Sequence, residues 1–134
     1  MIFRCIIPQS KRAFDLPGSR GDLRVSFDIF ESEMEQGIPL ILLRGKLFKI
    51  QIFKLQFSEV EEGKSPVETK LSVIETWSSI AHKSSAIRID GREDGMSVTL
   101  SFPTINESLF AKFLRLREEP LLIEIDEETV KEVL

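Results

Sequence analysis

His82, the only histidine, stands among Ser78, Ser79, Ser84 and Ser85. A serine nucleophile needs a base within hydrogen-bond reach and an acid to orient that base. The segment therefore names a candidate hydrolytic centre on His82, although the Gly-x-Ser-x-Gly elbow is missing. Its composition is that of a polar surface connection, and hydrolysis ranks third among the functions the sequence allows. One cysteine and one histidine cannot supply the usual structural zinc sets. Asp90, Glu93 and Asp94 crowd a hairpin loop too short for a calcium loop, and Asp-Gly turn chemistry explains them. Glu62-x-Lys64 and Glu68-x-Lys70 resemble metal-nuclease spacing but have no second carboxylate held nearby, so they read as a solvated charge run. Neither Gly-x-x-x-x-Gly-Lys nor Gly-x-Gly-x-x-Gly occurs. Arg20-Gly21-Asp22 and Asn106-Glu107-Ser108 are tripeptides of the length that arises by chance. No catalytic residue, metal or cofactor is expected.

One constellation remains. Between residues 40 and 57 there are four cations, Arg44, Lys46, Lys49 and Lys54, and no acid, with Phe48, Phe53 and Phe57 interleaved. Cations that follow phosphates beside rings that stack on bases are what single-stranded nucleic acid requires. That use needs a phenylalanine exposed next to Lys49 or Lys54. If every ring packs inward, the lysines instead guard a wet strand face. A second surface is the acidic C-terminal segment, 127–134. Read as a helix it carries a narrow apolar stripe, Val130, Val133 and Leu134, and is too short to stand alone, so it would dock on its own sheet or on a partner protein. The leading expectation is a non-catalytic binding or accessory module acting through a sheet edge or this segment, with a protein partner or self-association. The alternative is a β-barrel that binds single-stranded nucleic acid through 44–57.

These residues must be positioned by the elements around them. The stretch 48–57, FKIQIFKLQF, puts Phe48, Ile50 and Ile52 on one strand face and Phe53, Leu55 and Phe57 on the other. A bulge near residues 52–53 would return both triplets to one interior and bend the strand, as strands do at the corners of small barrels. Residues 2–7 read as a strand, 8–21 as a loop, and 22–30 as a strand with Leu23, Val25, Phe27 and Ile29 on one face. Residues 39–43, PLILL, read as a further strand turning at Gly45. Residues 69–77 form another, and 86–90 with 96–102 form a hairpin whose Gly95 suits a positive φ. Thr104 and Glu107 fit a capping box opening a helix over 105–117, with Ile105, Leu109, Phe113 and Leu116 on one side. Residues 121–125 read as a last strand, with Asp126 capping the final helix.

Runs of strands without alternating helices indicate a mainly antiparallel sheet. The expected fold is α+β: a small bent-strand β-barrel or sandwich of about eight strands, with one capped helix (105–117) and a short C-terminal helix. Length places residues 1–134 in a single domain. Hydrophobic content of 42% and charged content of 30% are those of an ordinary globular chain. No apolar run reaches the ~20 residues of a membrane span, so no membrane partner is expected. The interrupted apolar start makes a poor signal peptide, and one cysteine excludes an internal disulfide. Cytoplasmic residence is the resulting expectation. Net charge is −4, split unevenly: residues 1–57 carry nine cations and six acids (+3), and residues 58–134 nine and sixteen (−7). The acidic total opposes non-specific binding to nucleic acid.

Overall fold

Two strands with alternating apolar residues bury those residues together only if their registers match. A computed structural model, which describes residues 1–9, 13–15, 23–58, 62–63, 66–90, 95–102 and 107–132, shows that match. Its strands are β1 (Ile2–Ile6), β2 (Phe14–Asp15), β3 (Leu23–Ile29), β4 (Lys46–Phe57), β5 (Glu68–Ser79), β6 (Ile87–Asp90), β7 (Gly95–Phe102) and β8 (Leu121–Glu132). The α-helices are α1 (Met34–Gly37) and α2 (Glu107–Arg115). β3 and β7 pair antiparallel, with Leu23 opposite Phe102, Val25 opposite Leu100, Phe27 opposite Val98 and Ile29 opposite Met96. All eight side chains are buried. At ~1.5–3 kcal/mol for each large apolar side chain removed from water, this ladder anchors the core. The intervening residues, Arg24, Ser26 and Asp28 on β3 and Ser97, Thr99 and Ser101 on β7, share the opposite face.

The sheet is mainly antiparallel and runs β2-β3-β1-β8-β4-β5-β7-β6, with β3 also paired to β7. Pairings thus lead from β3 through β1, β8, β4, β5 and β7 and back to β3. α2 presses Phe113 against Phe102 (ring centroids 4.8 Å apart) and Phe27 (6.3 Å). Phe113 and Leu116 are buried and Leu109 partly so, while Lys112 and Arg115 are exposed, as the helical spacing predicts. The capping residue Thr104 lies outside the described residues. The 86–102 hairpin forms as read, with Gly95 at φ +107°; its loop, 91–94, is outside the described residues.

Three expectations are corrected. Residues 39–43 are not a strand: Ile38–Leu43 is a 3-10 helix with Pro39 in its first turn, burying only Leu40 and Leu43. Proline at the start of a helix loses no hydrogen bond, whereas in a strand it removes a ladder donor. A two-residue strand not read from the sequence, β2, pairs with β3 inside the segment read as a loop.

The second correction concerns the two triplets. A register shift does fall at Ile52/Phe53, but the surplus residue is Val73 on β5: Ile52 faces Ile74 and Phe53 faces Ser72. On its other side β4 pairs without interruption with β8, from Gln51 opposite Glu124 to Lys54 opposite Leu121. Alternation along β4 therefore continues. Phe48, Ile50 and Ile52 join the main core, whereas Phe53 and Leu55 bury with Leu122 as a separate cluster on the opposite face. Phe57 is 58% exposed. Beside that outer cluster, Arg4 stands opposite Leu122, and its guanidinium pairs with Glu33 (2.7 Å) and with Glu68 (2.9 Å) on β5. Lys70 Nζ lies 4.5 Å over the Phe53 ring.

Third, the chain does not turn helical after Asp126; β8 continues to Glu132. Asp126 still caps: its carboxylate accepts the Glu128 N–H (3.1 Å), and its carbonyl accepts the Thr129 hydroxyl (2.7 Å). The result is one turn bulging from the strand. Lys49 pairs with Asp126 and Leu47 with Lys131, so residues 127–130 stand against Phe48 alone. The Lys49 N–H donates to Thr129 Oγ1 (2.8 Å) and sews the turn to β4.

Candidate anion-binding cleft

The polar face of the β3–β7 ladder forms the floor of a cleft of about 270 Å³. Strand pairing sets its donors in rows: Arg24 opposite Ser101, Ser26 opposite Thr99, and Arg88 on β6 opposite Ser97. The Ser26 and Thr99 hydroxyl oxygens are 3.0 Å apart. The connection after β5 forms the wall and adds Lys83 and Ser85. Three cations and five hydroxyls thus line the cleft, with no carboxylate and no aromatic ring among the described lining residues. The acid on this face of β3 is Asp28, opposite Ser97. Loss of hydration holds its carboxyl above the ordinary value, although its side chain is exposed.

A second cleft, about 380 Å³, has the opposite sign. Glu75, Glu124, Asp126, Glu127 and Glu128 line it, with Lys49 as the cation. Among the described residues no group of three or more His, Cys, Asp or Glu is placed to hold a metal.

The expected basic–aromatic surface is taken apart by the fold. Phe48 is wholly buried and Phe53 nearly so. Arg44 donates to the Ser84 and Ile87 carbonyls (3.3 and 3.5 Å), and Lys46 is half-buried at the start of β4. Lys49 is exposed, with Nζ 6.0 Å over Trp77, and Lys54 Nζ lies 3.9 Å from Glu119. No phenylalanine between 48 and 57 is exposed except Phe57, which is paired opposite Glu68. Val130 is partly buried against the core, and Val133 and Leu134 lie outside the described residues, as do Arg20-Gly21-Asp22 and Asn106.

His82 is exposed, its ring facing Gly45, 3.6 Å from where a Cβ there would stand. Ser78 is buried and donates to the Ser101 carbonyl (2.9 Å). Among the described residues no hydrogen bond joins His82 to a serine. Cys5 is fully buried, and burial, then the Asp28 charge, pushes its thiol far above the range where thiolate forms.

Sequence reading missed Arg24, Lys83 and Arg88. The signal was present as Arg, Ser and Thr at the outward positions of β3 and β7, but only the β3–β7 pairing joins the two rows, across most of the chain. Among the described residues no helix is long and apolar enough to cross a membrane. No protein-family model, curated protein or solved structure matches the chain.

Proposed function

We propose that the protein is a non-catalytic binding module that takes an anionic ligand in the cleft over β3 and β7. We read the ring of strand pairings as a small closed barrel that holds the cleft floor rigid. One observation carries this reading: cations and hydroxyls line the cleft without a described carboxylate, in a chain whose net charge is −4. Local charge of one sign in a concave site concentrates counter-ions even when the whole molecule repels them. Charge-assisted hydrogen bonds, ~1.5–3 kcal/mol each, supply the affinity. The cleft adjoins β6, which ends the strand order, so the module acts beside a sheet edge.

Calorimetric titration with pyrophosphate tests it. Binding is expected at low salt, weakening as salt rises, and falling by about tenfold or more in the Lys83→Glu/Arg88→Glu variant. Absence of binding at low salt, or an unaffected variant, rejects the reading.

A further inference from the structure

We infer that the group this cleft takes is a phosphomonoester, borne by a small molecule or by a phosphorylated side chain, and not the diester backbone of a nucleic acid. The inference rests on the anion-binding reading above and narrows it. Charge is the first ground. Lys83 and Arg88 face the cleft without a described carboxylate in its lining. A monoester at neutral pH carries about −1.5 to −2, and a diester linkage only about −1, so the monoester better matches these two cations.

Donor geometry is the second ground. A monoester has three terminal oxygens, each able to accept. The floor presents Ser26 and Thr99 as adjacent hydroxyls, with Ser97 and Ser101 at the next outward positions of β7. The Arg88 guanidinium offers a fork that can engage two phosphate oxygens. Third, single-strand recognition combines a cationic track with rings that stack on bases. No ring lines this cleft among the described residues. The exposed Phe57 is on β4, and Trp77 on β5 faces Lys49 and Lys131. Charge and rings occupy different places on the surface. Size is the fourth ground: about 270 Å³ lies just below the ~300–1,000 Å³ of clefts that enclose whole drug-sized ligands. It suits one charged group with the rest of its carrier outside.

The test is a titration of the ¹⁵N-labelled full chain, following the amides of Ser26, Arg88, Ser97 and Thr99. Four probes are compared at neutral pH: inorganic phosphate, N-acetyl-phosphoserine methylamide, dimethyl phosphate, and oligothymidylate without terminal phosphates. Both phosphate-dianion probes are expected to shift these amides with affinity about tenfold or more above dimethyl phosphate. Tighter binding of phosphoserine assigns the source to a modified side chain, and tighter binding of inorganic phosphate to a free anion; either upholds the inference. Arg88→Gln should weaken both by about tenfold or more. Should that variant unfold the sheet, Lys83→Gln, on an exposed connection, must still weaken them. Dimethyl phosphate or oligothymidylate binding at these amides as well as the monoester overturns the inference and leaves the anion site standing. If no probe moves these amides and pyrophosphate does not bind, both readings fall.

Discussion

Asp28 is the acid on the floor side of β3, and the direction of its shift fixes what pH does to it. Loss of hydration raises its carboxyl above the ordinary value. The folded chain therefore holds that proton more tightly than the unfolded chain does. This advantage is fully present below the unfolded pKa and is lost as pH rises through the folded one, so at neutral pH the charged carboxylate works against folding. The Asp28→Asn variant is expected to unfold at higher urea than the parent at pH 7, with the gap closing as pH falls through the carboxylate range of about 4. A gap that stays constant or widens on acidification would show that Asp28 is not the cause. Residue by residue, alternation made the inward set of β3 and β7 legible, because period-two patterning is local. It could not reveal what Phe53 and Leu55 bury against. Leu122 joins them from β8 and the Lys70 ammonium lies over the Phe53 ring, and contacts over such separations leave no trace in the neighbouring sequence.

At the scale of elements, the end of α2 shows local preference giving way. After Arg115 the chain tightens, with the Leu116 N–H shared between Lys112 and Phe113, and Glu118 then adopts φ +62°. Its N–H donates to the Ile7 carbonyl (2.9 Å), which ties the helix exit to the end of β1. Glycine is the usual residue in that left-handed conformation because a Cβ there crowds the backbone. Glu118→Gly should therefore raise stability by about 0.5–1 kcal/mol in urea denaturation, the relief of strain outweighing the extra freedom of the unfolded chain; a loss of stability would mean the exposed side chain matters more than the backbone. The C-terminal segment teaches the complementary lesson. Capping by Asp126 was legible, since its carboxylate does accept a nearby N–H. The helix expected to follow was not formed, because Leu47 and Lys46 pair with Lys131 and Glu132 and draw the chain back into the sheet. Tertiary pairing outweighs a propensity of a few tenths of a kcal/mol per residue.

Across the whole molecule, the ring of pairings has uneven joints. β3 and β7 stay in register along the whole of β3, whereas β5 meets β7 at Ser79 and Ser101 alone. A short joint opens at lower free energy than a long one. Amide exchange at Ser79 and Ser101 is accordingly expected to be about tenfold or more faster than at Ile50 and Ile52 in the interior of β4; equal protection would mean that the joint opens only with the entire fold. A mainly antiparallel sheet could be read from the run of strands, but the non-sequential β3–β7 pairing that makes the cleft could not. Trp77 lies two residues before Ser79, and it is the only tryptophan. The ammonium groups of Lys49 and Lys131 sit 6.0 and 5.1 Å from its ring, so the indole emits beside two positive charges. The chain thus carries its own optical gauge of that joint, readable by collisional quenching without any attached dye.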